Sequence, residues 1–233
     1  MEILTIFDLE VLLWLNQFSQ ISFTFDRGMF LLTANEFLKG GIFIGVFWFW
    51  WHKKEKIKNR QIIISAFIGS VLTMSSSWAL TKMLPLRERP LYTGRINFIR
   101  PYGTPEGISR GLSSFPSDHA ALFFSLAIGI FLLSRKWGMV AFIYALLFIM
   151  LPRIYLGFHY PTDIFGGFLL ALVINLIVQK TSTLWKNITQ KILDLEREKP
   201  SIFYTCAFLF TMEMAQLFNH LRSIVDFLLS CFK

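Results

Sequence analysis

Long apolar runs dominate this chain, and they leave few folds open to it. Convincing stretches extend from about Met29 to Trp51, about Ile62 to Lys82, and about residues 118–134, 138–157 and 162–178. Roughly 20 apolar residues are what a helix needs to cross a bilayer, and in lipid the backbone must satisfy its own hydrogen bonds. The whole composition follows the same lead: 54% of the 233 residues are hydrophobic and 16% are charged. The expected fold is therefore all-α, a polytopic transmembrane helix bundle of five or six spans. The sixth would lie near 201–219, a stretch that reads equally as an interfacial hairpin.

The rest of the chain fits around those spans as a single unit over 1–233, with a core at about 25–178 and a helical extension at about 180–233. Residues from about 3 to 25 mix Ile3, Leu4, Ile6, Phe7, Leu9 and Trp14 with Asp8, Glu10, Asn16 and Gln17, the pattern of an amphipathic N-terminal helix lying in the interface. The N-terminus lacks a basic leader, so insertion is expected to rely on the internal spans. Cys206 and Cys231 have neither metal-ligand spacing nor the makings of a disulfide framework, and are taken as packing residues.

A formal charge of +8 could suggest a nucleic-acid partner, but the placement of the charges excludes it. Lys53, Lys54, Lys56, Lys58 and Arg60 crowd one short loop between spans, which marks a cytoplasmic side rather than a basic binding face. With 52–61, 135–137 and 179–200 on that side, residues 82–118 and 157–161 meet on the other. That second side carries Arg87, Arg89, Arg95, Arg100 and Arg110, against the positive-inside rule, so these arginines need another purpose. Attraction of a pyrophosphate and contact with anionic headgroups both serve as that purpose.

Three polar stretches converge there: Lys82 to Pro90, Ser114 to His119, and Arg153 to Asp163. Lys82, Arg89 and Arg153 supply three fixed cations, suited to the oxygens of a transferring phosphoryl group. Ser117 stands at an N-cap position before a long apolar helix, where free N–H groups hold anions. His159 precedes Pro161 at another helix entry, with Asp163 four residues on and within reach of the imidazole. A carboxylate on one ring nitrogen would leave the other free to attack, and His119 is then available to protonate a leaving oxygen.

With their spacings, these residues resemble the type 2 phosphatidic acid phosphatase superfamily, whose signatures read K-x6-R-P, P-S-G-H and S-R-x5-H-x3-D. Lys82, Arg89 and Pro90 match the first; Pro116, Ser117 and His119 the second; Arg153, His159 and Asp163 the third. The resemblance implies a membrane phosphatase acting on a lipid phosphate or pyrophosphate by a ping-pong route. In it His159 becomes phosphorylated, Asp163 supports it, His119 acts as acid, and no metal or cofactor takes part.

Two positions depart from the pattern: Asp118 stands for the usual glycine and Pro152 for the usual serine. Asp118 would sit near phosphate unless it turns away or pairs with an arginine such as Arg110. P-S-D-H and the Phe-His-Tyr-Pro-Thr-Asp turn look like the bacterial undecaprenyl-pyrophosphate phosphatase branch, which implies the bacterial inner membrane and a site facing the periplasm or exterior. Lipid A phosphotransferases, similar at both departures, keep a phosphotransferase open. A transporter or channel would spread its charges through several spans, whereas here they cluster at helix ends. Glu36, beside Asn35 and Lys39 in the first span, is either a support for the site or a satisfied polar contact. His52 and His220 lack comparable context and are left structural.

Overall fold

The computed structural model describes residues 6–53, 56–94, 96–108 and 110–230, so Lys54, Arg95 and Cys231 lie outside the described residues. Helix is the regular structure throughout them. Two short helices lead, α1 (Ile6–Asn16) and α2 (Phe23–Ala34), followed by α3 (Phe37–Trp51) and the long α4 (Lys56–Met83). After an extended loop come α5 (Asp118–Leu133), α6 (Arg135–Tyr155) and α7 (Pro161–Lys180). The chain ends in α8 (Ser182–Glu198), α9 (Pro200–Ala215) and α10 (Asn219–Ser230).

By length and composition, α4, α6 and α7 can each cross a membrane, and α2 with α3, bent by 64° at their junction, makes a fourth. This is a membrane protein; among the described residues three or four spans meet that criterion, which does not reach the five or six expected. The difference comes first from α5. Its 16 residues reach about 24 Å, short of the roughly 30 Å of a bilayer core. Instead of meeting lipid, α5 is the axis of the bundle, packed against α3, α4, α6 and α7 and buried nearly all round. The expected sixth span is α9, which runs antiparallel along α3: Phe203 stacks on Trp51 at one end, and Ala215 meets Gly40 at the other.

A chain of polar side chains ties the axis to its neighbours. Asn175 Nδ2 donates to Ser125 Oγ at 2.7 Å and to the Ala171 carbonyl at 2.8 Å, and Ser70 Oγ donates to Ser125 Oγ at 3.0 Å. All three residues are buried, so α4, α5 and α7 are held in register where no water competes. Gly69 makes room for the link: a Cβ there would stand 2.4 Å from Asn175 Oδ1.

Opposite ends of the bundle gather different residues. At one end Arg60 of α4 bonds Glu196 of α8 at 2.5 Å and lies over Trp51. At the other, α1 and α2 staple down the loop between α4 and α5. Asn16 exchanges two hydrogen bonds with Ile99, and Asp26 accepts from the Tyr102 N–H at 2.7 Å and from the Tyr155 hydroxyl. The first helix turns polar Asp8 and Asn16 toward the protein and leaves Ile6, Phe7 and Trp14 exposed. Its inward stripe is therefore mixed, Asp8 and Asn16 lying beside the buried Leu12 and Leu15, while large apolar side chains remain on the outside.

Replacing Asn175 by Leu should cost about 0.6–2 kcal/mol of stability in detergent by removing both hydrogen bonds. Denaturant titration of purified protein measures it, and an unchanged midpoint would show that the polar chain contributes nothing.

Candidate active site

The loop after α4 and the turn between α6 and α7 meet at the stapled end. Leu91 N–H donates to the Gly157 carbonyl at 2.9 Å and Arg89 Nη1 to the Phe158 carbonyl at 2.9 Å. Gly157 makes this turn possible. Its φ of +70° lies in the left-handed region, and a Cβ there would stand 2.7 Å from the Phe98 ring. His159, two residues on, is thereby delivered into the interior, 2% exposed.

His159 has a defined tautomer. Its Nδ1 lies 2.9 Å from the Ser114 carbonyl, which can only accept, so Nδ1 carries the proton and Nε2 keeps its lone pair. Nε2 is buried and has no hydrogen-bond partner among the described residues. Burial is the largest influence on this imidazole and lowers its pKa from the ordinary value of 6.5; Arg89 and Arg153 push the same way, and Asp163 opposes them. At neutral pH the ring is therefore uncharged. The tautomer is fixed by a backbone carbonyl rather than by the carboxylate expected from the sequence. Asp163 Oδ2 stands 3.7 Å from Nδ1, in ion-pair rather than hydrogen-bond range. It accepts instead from the Tyr160 N–H at 2.7 Å, closing the first turn of α7 behind Pro161.

His119 opens α5 beside it and has its own pair of partners. Asp118 Oδ1 lies 2.9 Å from its Nδ1, and Arg153 Nη2 donates to its Nε2. Asp118 thus turns to the neighbouring histidine, while Arg110, its suggested partner, is exposed with its guanidinium over Tyr92. Ser117 is the N-cap, but its hydroxyl accepts from the Ala120 N–H at 3.3 Å and its own N–H is bound to the Asp163 carbonyl. Its role here is to cap α5 and join it to α7.

The three expected cations divide. Arg153 and Arg89 are buried, and burial lowers the pKa of Arg89 from its ordinary value. Arg89 is held by the carbonyls of Phe158 and, more loosely, Leu112 and Ser113. Lys82 is exposed at the end of α4, its ammonium 6.0 Å from the Trp78 ring, in the posture of an interfacial anchor. A different lysine takes an inner place. Lys39, 3% exposed, pairs with Glu36 at 3.2 Å and lies within electrostatic range of Arg153, Asp118 and His119. The signal was in the sequence: an ionisable pair inside an apolar span marks a site.

Both departures from regular helix lie here too. Lys39 belongs to a π-helical stretch, Phe37–Gly41, and a second, Ala145–Met150, directly precedes Pro152 and Arg153. Widened turns of this kind accommodate a proline within a helix and re-aim the side chains that follow. Near Arg89, a cavity of about 240 Å³ is lined by Glu88, Arg89, Tyr92 and Arg110. Among the described residues, no three His, Cys, Asp or Glu side chains are grouped so as to hold a metal ion.

Two histidines thus stand at helix entries, with buried Arg153 bonded to His119 and both buried arginines in electrostatic range of His159. Residues 61–186, more than half of the chain, match the PAP2 superfamily. The chain belongs to that superfamily. Among its relatives, "Putative undecaprenyl-diphosphatase YbjG" of Escherichia coli strain K12 is 27% identical over 128 residues, covering 55% of this chain and 59% of that protein. The undecaprenyl-diphosphatase BcrC of Bacillus subtilis strain 168 is 25% identical over 127 residues, covering 54% and 61%. An undecaprenyl-diphosphatase of Sulfolobus acidocaldarius is 29% identical over 132 residues, covering 56% and 59%. The chain therefore spans about three fifths of the length of the curated relatives it matches. No solved structure matches it. Within the PAP2 frame, His159, His119, Arg89, Arg153 and Asp163 come together, Ser117 caps the helix beneath them, and Lys82 stands apart.

Gly157→Ala should destabilise the protein by at least about 1–2 kcal/mol, because alanine is strained in the left-handed region and meets Phe98. A thermal melt in detergent measures this; an unaltered melting point would mean the turn relaxes freely.

Proposed function

We propose that the chain is a lipid phosphatase that converts undecaprenyl pyrophosphate to undecaprenyl phosphate through phosphorylation of His159 at Nε2. The observation that carries this is the imidazole itself, buried, uncharged, with its proton on Nδ1 and an unpartnered lone pair on Nε2 beside two buried arginines. The names of the bacterial and archaeal relatives support the substrate.

In the first half-reaction Nε2 attacks the terminal phosphorus, the N–P bond forms, and the bond to the bridging oxygen breaks. Arg89 and Arg153 balance the charge of the phosphoryl oxygens. At rest Arg153 donates to His119 Nε2. A phosphate oxygen is a stronger acceptor than an imidazole nitrogen, so substrate draws the guanidinium away and frees His119 Nε2 to take up a proton, from solvent in the first turnover and from the attacking water of the preceding cycle thereafter. Asp118, on the other ring nitrogen, stabilises that imidazolium, and the proton passes to the departing lipid phosphate. In the second half-reaction water attacks phosphorus, His119 accepts its proton, the N–P bond breaks, and inorganic phosphate leaves. Asp118 and Arg153 thereby prepare the acid, as Ser114 and Asp163 prepare the nucleophile.

The cavity beside Arg89, with Arg110 at its rim, accommodates a second phosphate and favours a diphosphate over a monophosphate. Arg60 lies at the opposite end with Lys58 of the same helix and Lys186, Lys191 and Arg197 of α8, and that set of Lys and Arg supports a cytoplasmic location for that end. The site then faces the periplasm or exterior of a bacterial plasma membrane. Transfer of the phosphate to an acceptor lipid would use the same residues and would require that lipid for turnover.

Purified protein in detergent should release phosphate from undecaprenyl pyrophosphate in water alone. His159→Ala should lower this by at least about 10³-fold, as loss of a covalent nucleophile does. Release only with added acceptor lipid would identify a phosphotransferase, and activity persisting in His159→Ala would remove His159 as nucleophile. Arg110→Ala should raise KM for the diphosphate several-fold more than for phosphatidic acid; an equal change would deny Arg110 a part in recognising the second phosphate.

A further inference from the structure

Asp163 is not alone behind His159. Its Oδ1 accepts from Arg87 Nη1 at 2.5 Å, and the other end of that guanidinium, Nη2, donates to Asp8 Oδ2 at 2.8 Å. Thr162 closes the circuit. Its hydroxyl donates to Asp8 Oδ2 at 2.7 Å and accepts from Arg87 Nη1 at 2.9 Å, and its N–H donates to Asp8 Oδ1 at 2.9 Å. Both carboxylates are fully buried, and Arg87 lies over the Tyr160 ring. None of this belongs to the three motifs except Asp163 itself. Asp8 is brought in by α1, which packs on α6 and α7.

We propose that Asp8 is a positioning residue for His159, acting through Arg87 to set how much of the Asp163 charge the imidazole meets. The inference rests on the assignment of His159 as nucleophile. When Nε2 bonds to phosphorus the ring becomes cationic, and the carboxylate 3.7 Å from Nδ1 stabilises that charge. A guanidinium bound to Asp163 alone would cancel most of this effect. Shared between two carboxylates, it holds Asp163 in place while giving that carboxylate only part of its charge. The other charged groups around His159 are Asp118 on α5, Arg153 on α6 and Arg89 on the loop, and none of them changes in the variants below.

The test is the pH dependence of kcat/KM for phosphate release from undecaprenyl pyrophosphate by the full chain. Attack needs neutral His159, so activity rises with pH through the pKa of that ring. Asp8→Asn removes one negative charge without changing shape. It should move the acid limb to lower pH by on the order of half to one unit and reduce kcat about tenfold, with KM nearly unchanged. Asp8→Glu should restore most of kcat and return the limb. Arg87→Gln leaves both carboxylates without their cation and should move the limb the opposite way. A fold-stabilising contact alone would lower the active fraction without moving the limb. An unshifted limb in Asp8→Asn, with His159→Ala inactive, would overturn the inference and leave the phosphatase assignment intact. No His159-dependent release by the wild-type protein would remove the assignment and the inference together. Should Asp8→Asn fail to purify, the Arg87→Gln profile decides alone, an upward shift supporting the inference and an unmoved limb overturning it.

Discussion

The hydrogen bond from His159 Nδ1 to the Ser114 carbonyl is the contact on which the rest of the site depends. A buried imidazole with no fixed donor on one side could present either nitrogen, and burial alone would only keep it neutral. A backbone carbonyl cannot donate, so it selects one tautomer and leaves the Nε2 lone pair free. Holding a carbonyl there constrains the fold in turn. Ser114 N–H is bound to the Arg87 carbonyl, and Ser117 N–H to the Asp163 carbonyl, so the loop, α5 and α7 are fixed to one another at this point. Gly157 shapes the turn that brings the histidine to meet them.

Charge at the site is arranged in matched sets around two rings. His119 stands between Asp118 and Arg153, and His159 has a carboxylate behind it and the guanidiniums of Arg89 and Arg153 in electrostatic range. Lys39 and Glu36 add a further ion pair from the first spanning pair. Buried charges are costly unless paired, and here every buried charged group named has an opposite charge or a hydrogen-bond partner. The arrangement poises Arg153 in particular. Its resting partner is a neutral nitrogen, which a phosphate can displace.

Much of the site was legible in the sequence because motif spacing reports helix ends directly. Pro161 and Asp163 mark the start of α7, Ser117 that of α5, and alternating apolar runs place both starts on one side. What was not legible has three physical causes. The partner that sets the tautomer of His159 is a backbone group, which no side-chain pattern discloses. Asp8 meets Arg87 and Thr162 only through tertiary packing of α1, and on a short mixed helix a buried acid looks like an exposed one. Lys82 satisfies a spacing rule, yet its long side chain reaches outward over Trp78 while Lys39 takes an interior place. Fewer spans meet the length criterion than the apolar runs suggest because α5 and α9 have 16 residues each, and an apolar run does not disclose where its helix ends.

A covalent route through His159 makes a stereochemical statement that neither binding nor stability can imitate. Two successive in-line displacements at phosphorus give net retention of configuration; one direct attack by water gives inversion. The decisive measurement is hydrolysis of undecaprenyl pyrophosphate carrying an isotopically chiral thiophosphoryl terminus, followed by configurational analysis of the released thiophosphate. Retention is the predicted result. Inversion would contradict the account, leaving His159 at most a base that activates water.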